Sequence, residues 1–215
     1  MKVLFIGAHF DDIEIGCGGT AARLVREGHD VESIVMTHSG YSDEEGNLVR
    51  DAEVARREGL EGLQTLGISH IHELNLKTGR VEYTLDLIHE LERTIKSISP
   101  DLVFTHWIAD VHQDHSAIGR ATLNVCRKTA SILMYRSNWY RSSMNFSPRI
   151  FVDTSDYFQI KKKAINCHVS EVTKFGMNWL RFIEAQDVSV GIEFGYDFGE
   201  AFEPVKLDLF CSVYI

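Results

Sequence analysis

Val3-Leu4-Phe5-Ile6 is a short, unbroken run of apolar strand formers, and it leads almost at once into His9, Asp11, Asp12 and Glu14. A run of this length without polar alternation suits a strand buried on both faces. Such strands belong to parallel sheets covered by helices. Gly16-Cys17-Gly18-Gly19-Thr20 follows, then a helical pattern through Ala21, Ala22, Leu24 and Val25. The glycines fit a tight turn into that helix or close packing of helix on strand. In an open α/β sheet, ligands bind beyond the carboxyl ends of the strands. One histidine and three acids at such an edge call for a partner, and a metal ion is the first choice.

Strand-like and helical segments then alternate. After the first helix, ending near Gly28, residues 31–37 read as a second strand and the polar stretch 38–47 as a loop. Residues 51–66 form a helix with Ala52, Ala55, Leu60, Leu63 and Leu66 at near-helical spacing and Gly67 as its stop. Residues 68–74 make a third strand. A helix over 83–98 carries Leu87, Ile88, Leu91 and Ile95, and Pro100 closes it. A fourth strand covers 101–105, a His-rich loop 106–115, a helix 116–128 and a fifth strand 131–135. This alternation predicts right-handed crossovers and a parallel sheet covered on both faces. The last third reads as a strand at 149–152, helices at 156–170 and 172–185, and a closing strand at 207–213. No repeat or linker interrupts the chain, so one domain is expected over 1–215. Polar loops at 39–47 and 138–147 suit a pocket wall or a subunit contact, which leaves a homo-oligomer open.

Composition narrows the class. With 44% hydrophobic and 25% charged residues, 215 residues can bury one sizeable core. A net charge of −9 argues against a non-specific grip on nucleic acid or anionic membrane. No segment approaches the roughly 18 apolar residues of a membrane span. The first strand starts at Lys2 and carries the candidate site, so it is not read as a cleaved leader. Cys17, Cys126, Cys167 and Cys211 are scattered without a Cys-x-x-Cys pair and are expected to be reduced thiols. The expectation is a cytoplasmic α/β protein.

Two motifs carry chemistry. The first strand delivers His9, Asp11 and Asp12, and the fourth delivers His112-Gln113-Asp114-His115 after a short loop. First and fourth strands commonly flank the switch point of a doubly wound sheet, which brings both motifs to one crevice. His9, Asp12 and His115 make a three-ligand set with open positions, as in catalytic zinc sites. The same donors also suit Fe2+. Asp11 diverges from its neighbour and is left as general base. Water activated by the ion would attack an amide carbonyl, Asp11 taking the proton. His112 would stabilise the oxyanion or protonate the leaving amine, with Asp114 holding His112 in one tautomer and raising its pKa. Alone, the first motif reads as an Asx-capped turn and the second as a helix cap with solvated imidazoles. Their pairing, each just after a buried strand, points to metal-assisted amide hydrolysis. His38 and His106, at strand ends, are candidates for the pocket lining, while His29, His70, His72 and His89 read as structural. Gly16-x-Gly18-Gly19 also prompts a dinucleotide-binding module, but the adjacent carboxylates repel a pyrophosphate and no acid ends the second strand. A non-catalytic metal-binding module would leave Asp11, His112 and Asp114 without a purpose.

Ala8-His9-Phe10-Asp11-Asp12-Ile13-Glu14-Ile15-Gly16-Cys17-Gly18-Gly19-Thr20, paired with His112-Gln113-Asp114-His115, resembles the LmbE-like (PIG-L) family of zinc-dependent N-deacetylases. The resemblance implies a Rossmann-like three-layer α/β/α sandwich, one Zn2+ per chain, and deacetylation of a small-molecule amino sugar or its conjugate, with a non-sugar amide as the alternative. Carried over by motif, His9, Asp12 and His115 are the zinc ligands, Asp11 the base, His112 the oxyanion and leaving-group partner, and Asp114 its tuner. A substrate-binding arginine ahead of Glu58 corresponds to Arg56 or Arg57, and His168 becomes a further candidate for substrate contact. Two departures stand out: Phe10 replaces the family's usual proline, and only Val190-Gly191 stands where an arginine-glycine pair is common.

Overall fold

The computed structural model describes residues 1–128 and 131–208. Its centre is a seven-stranded sheet in the order β5-β2-β1-β6-β7-β9-β8. The strands are β1 Lys2–Gly7, β2 Asp30–Thr37, β5 His70–Leu76, β6 Leu102–His106, β7 Ser131–Tyr135, β8 Ile150–Asp153 and β9 Gly199–Lys206. β1 pairs in parallel with β2 and β6, β2 with β5, and β6 with β7. β9 runs antiparallel to both β7 and β8. A two-stranded hairpin, β3 Tyr41–Ser42 with β4 Leu48–Arg50, occupies the segment expected to be a loop.

β1 shows why the sheet needs covers on both faces. Val3 and Phe5 point into one core with Val31, Val35, Phe104 and Leu133; Leu4 and Ile6 point into another with Ile34, Met36 and Val103. The first core is closed by α1 Asp12–Arg26, α2 Ala52–Thr65 and α5 Phe158–Asn166, the second by α3 Leu85–Ile98 and α4 Gln113–Val125. α3 shows the sequence logic plainly. Leu87, Leu91, Ile95 and Ile98 form its buried stripe, Thr84 caps its N-terminus, and Ser99 ends it in a left-handed turn before Pro100. α7 Met177–Phe194 packs Trp179 and Ile183 against Ile15 and Ile165, with Val172 and Phe175 of α6 Val169–Phe175 beside them.

Four expectations change. Gly16, Gly18 and Gly19 lie inside α1, which starts at Asp12 and breaks its helical geometry at Cys17 (φ −154°, ψ 19°). A Cβ on Gly16 would meet the Tyr135 ring at 2.2 Å, and one on Gly19 would meet Thr154 at 2.8 Å, so the glycines serve packing rather than a turn. The kink turns the amides of Gly19 and Thr20 to the Glu200 carboxylate, at 2.9 and 2.7 Å. Secondly, α4 begins at Gln113 rather than 116, and His106 closes a strand instead of opening a loop. Thirdly, the helices expected at 156–170 and 172–185 are three, with breaks around Cys167 and Gly176, and α7 runs on to Phe194. Fourthly, β9 replaces part of an irregular tail. Of the strand expected at 207–213, only Leu207 and Asp208 belong to the described residues; Cys211 also falls outside them.

Candidate active site

β1 and β6 are neighbours, so the chain leaves both at the same sheet edge, and the two motifs converge there. The first motif's backbone is tied to the strands on either side of β1. Ala8 N–H donates to His106 Nε2 at 2.9 Å, and Ala8 C=O accepts from Thr37 N–H and Thr37 Oγ1 at 2.9 and 2.8 Å. The second motif enters as the start of α4, where His112 is the N-cap and its Nδ1 accepts from Asp114 N–H at 3.2 Å.

Two imidazole nitrogens and the Asp12 carboxylate face one another at this edge. His9 Nδ1 lies 3.2 Å from His115 Nε2 and 3.4 Å from Asp12 Oδ2, and His115 Nε2 lies 3.3 Å from Asp12 Oδ1. Ligands about 2.0–2.1 Å from a tetrahedral ion stand about 3.3 Å apart, so the triangle has the dimensions of a zinc site. The outer nitrogen of each imidazole meets a carboxylate: His9 Nε2 is 3.0 Å from Asp114 Oδ2, and His115 Nδ1 is 3.2 Å from Asp110 Oδ2. With the outer nitrogens donating, the inner ones present lone pairs toward the triangle. Ser137 Oγ donates to Asp12 Oδ1 at 2.7 Å and the His9 amide to Asp12 Oδ2 at 2.7 Å. Electrostatics agree that the triangle attracts positive charge. Burial works against a charged His9, yet Asp114 and Asp12 lift its pKa to about 10, so a cation must displace the proton on its inner nitrogen before that lone pair is free. Burial also opposes charge on Asp12, but His115 and His106 hold it well below the usual carboxylate range. Two other groupings at this edge bring donors close enough to hold an ion, His9 with His112 and His115, and Asp12 with His106 and His115. In the first, His112 accepts the Asp114 amide at Nδ1 and so carries its proton on Nε2; in the second, the His106 Nε2 lone pair is already taken by the Ala8 amide, so His9, Asp12 and His115 fit better.

Asp11 stands beside the triangle. It is the residue before α1, but its side chain makes no capping hydrogen bond and lines the cavity instead. Burial and the neighbouring Asp12 push its pKa up to about 7, against the pull of Arg50 and His168. His112 lines the cavity too. Burial and the charges of His115 and His9 lower its pKa to about 4, so it is neutral near pH 7. Since its Nδ1 accepts the Asp114 amide, the proton of that neutral ring sits on Nε2.

The cavity measures about 520 Å³. Tyr41, Trp139, Tyr140, Phe175 and Trp179 form an aromatic wall, and Arg50, Arg80 and Lys174 bring positive charge. Both polar loops singled out in the sequence contribute, through Ser39, Tyr41 and Ser42 on one side and Asn138, Trp139 and Tyr140 on the other.

Several expected roles are corrected. The Asp114 carboxylate bonds His9 and the amides of Gly79 and Val81, not His112; only its backbone amide sets the His112 tautomer. His112 is pushed down in pKa rather than up. Arg56 is exposed and paired with Glu73, and neither it nor Arg57 lines the cavity. Arg50 does so instead, donating to the Phe10 carbonyl at 3.3 Å while facing Glu58 and Glu171 at 3.4 and 3.5 Å. His106 is fully buried under the donors, stacked on His115 at 4.0 Å. His168 is likewise buried, 2.9 Å from Glu14 and 3.4 Å from Arg50, so it braces the site from behind. His38 does not reach the cavity; its Nδ1 accepts the Gly40 amide. The sequence reading missed Asp110, Arg50 and Ser137. Asp110 carried a signal, lying five residues before His115 in the His-rich loop; the other two are placed only by tertiary contacts.

An α/β sheet thus brings a cation-ready donor triangle and an uncapped carboxylate together at its switch point, beside a cavity. The chain belongs to the PIG-L family, described as GlcNAc-PI de-N-acetylase, whose model matches residues 4–126. It is 36% identical to the uncharacterized deacetylase YaiS of Escherichia coli K12 over 177 residues, 78% of this chain and 90% of that protein. Diacetylchitobiose deacetylase of Thermococcus kodakarensis is 27% identical over 186 residues, covering 79% and 70% of the two chains. The structure of N,N'-diacetylchitobiose deacetylase from Pyrococcus horikoshii superposes with a TM-score of 0.81 at 25% identity, covering 95% of this chain and 83% of that one.

Proposed function

We propose that this chain is a zinc-dependent hydrolase that removes the N-acetyl group from a small amino sugar or amino-sugar conjugate. The observation that carries the reading is an uncapped, cavity-facing Asp11 beside a donor triangle of tetrahedral dimensions. His9, Asp12 and His115 would hold the ion, which supplies Lewis-acid activation of water and of the amide carbonyl. Asp11 accepts the proton of the attacking water at its carboxylate. A carboxyl raised toward neutrality is well matched to that task, and a bound cation draws it back toward the charged form that a base requires. His112 offers its Nε2–H to the carbonyl oxygen as negative charge develops there, a neutral donor rather than an imidazolium. The proton for the leaving nitrogen then comes back from Asp11. The aromatic wall supports a ring-shaped substrate, because indole and phenyl faces stack on the apolar faces of sugars. Membership of a family whose named relatives are deacetylases supports the same bond being cut.

Acetate release from N-acetylglucosamine, diacetylchitobiose, nucleotide-linked N-acetyl sugars and non-sugar acetamides tests the reading. We expect release from at least one sugar, abolished by chelator and restored by Zn2+. Release from non-sugar amides alone would overturn the sugar assignment, and chelator-resistant release would overturn the metal.

A further inference from the structure

We infer that Phe10, Ser39 and Gly59 form a clamp that holds the backbone of Asp11 in its strained conformation, and that Ser39 and Gly59 are positioning residues for the base. This rests on Asp11 being the base of the reaction proposed above. Asp11 has φ 136° and ψ −26°, a region that side-chain-bearing residues rarely enter. Such a conformation is strained and persists only where the surroundings over-determine it. Asp11 itself offers no compensation, since its side chain makes no cap bond.

The compensation lies one residue earlier. Phe10 N–H donates to Ser39 Oγ at 2.8 Å, and Phe10 C=O accepts from Arg50 at 3.3 Å, so both of its peptide groups are held. Its ring is buried against Gly59, where a Cβ would come within 2.2 Å of Phe10 Cδ1 and 2.4 Å of Cβ and Cγ. Any side chain on that face of α2 would displace the ring. Ser39 is aimed from the end of β2. It sits at φ 59° and donates its own amide to Thr37 Oγ1 at 3.2 Å, and Thr37 Oγ1 in turn holds the Ala8 carbonyl. On the far side, Ile15 N–H donates to the Asp11 carbonyl at 3.0 Å as α1 begins.

A proline at position 10 would fix φ at about −65° by its ring and could donate nothing to Ser39. Here the constraint is non-covalent: an amide with an acceptor waiting, and an aromatic ring in a glycine-made socket. The two solutions are alternatives, so the clamp residues should matter with phenylalanine at position 10 and matter far less with proline.

The test is a pair of double-mutant cycles, Ser39→Ala and Gly59→Ala, each in the native and the Phe10→Pro background. Zinc content, kcat and KM on the best substrate of the panel, and hydrogen exchange at the residue-11 amide are measured on the full chain in both backgrounds, with exchange at the Phe10 amide added in the native background. In the native background each substitution should lower kcat about tenfold or more, with KM and zinc content nearly unchanged. Ser39→Ala should also speed exchange at the Phe10 amide at least tenfold. In the Phe10→Pro background the further loss in kcat should be several-fold smaller. Equal losses in both backgrounds, a rise in KM alone, or unchanged Phe10 exchange in Ser39→Ala would overturn the clamp. Gly59→Ala reads the clamp through the ring and so decides the question if Ser39→Ala fails to fold. Absence of acetate release by the native protein would refute the hydrolase reading only, while the exchange measurements would still decide the clamp.

Discussion

At its first turn α1 presents Asp12 to His9, His106 and His115; beyond its kink it presents the Gly19 and Thr20 amides to Glu200, which shares Lys161 with Asp187. Both clusters are buried and densely charged. The rear one is closed: Lys161 Nζ reaches both carboxylates at 2.7 Å, and Glu200 accepts two amides besides. The front one turns two imidazole nitrogens and the Asp12 carboxylate toward a common point beside a cavity. Buried charge alone therefore does not mark a functional site. What separates the two is whether the charges complete one another or converge on a place that something else must occupy.

The largest effects should fall at the front. His115→Ala should lose the metal and all measurable hydrolysis, checked by elemental analysis and acetate release; retained zinc would dissolve the contrast between the clusters. Asp11→Asn should keep zinc and lose about 10²–10⁴-fold in kcat. Full activity in that variant would remove Asp11 from the mechanism.

At the rear the loss should be of stability instead. Lys161→Met leaves two buried carboxylates without their cation and should cost about 3–5 kcal/mol in chemical denaturation. Zinc binding per folded molecule should persist, and parallel loss of zinc in the folded fraction would tie the two clusters together.

A smaller effect is expected on the aromatic wall. Trp139 meets Phe175 and Phe182 edge-on at 5.7 Å, and Trp139→Ala should raise KM several-fold, in line with about 1 kcal/mol of ring stacking. A change in kcat alone would contradict a binding role.

A last prediction concerns pH. Two rear carboxylates share one lysine, and burial pushes Asp187 up to about 7 against the pull of Lys161, with Glu200 adding repulsion. Unfolded aspartate titrates near about 3.9, so between about pH 4 and 7 the native state keeps a proton that the unfolded chain has lost. That contribution to stability declines as pH rises through this window and levels off above it. Asp187→Asn should flatten the decline, seen as a smaller difference in Tm between pH 5 and pH 8. An unaltered pH profile would show that Asp187 is ionised throughout.

How legible these clusters were from residues alone differs in the same way. His9, Asp11, Asp12, His112 and His115 stand in two short motifs just beyond strand formers, so local pattern was enough to bring them together. Lys161, Asp187 and Glu200 lie far apart on elements whose pattern shows no need for one another. Glu200 falls in β9, whose Gly199, Glu200, Glu203 and Pro204 disguise a strand that pairing with β7 and β8 nonetheless maintains. Arg50 escaped notice for a similar reason: it ends β4, and only tertiary contacts with the Phe10 carbonyl, Glu58 of α2 and Glu171 of α6 place it at the site.

The parallel strands β1, β2, β5, β6 and β7, the helices between them and the two motifs beyond β1 and β6 could be read from residue order alone, because periodicity and residue chemistry are local properties. Only the tertiary structure decided that Asp114 serves His9 and leaves His112 neutral, that Arg50 rather than Arg56 or Arg57 faces the cavity, and that the glycines seat a kinked helix. Each of those outcomes depends on which group arrives from another strand or helix, and on how burial sets the balance between charges that the linear order keeps apart.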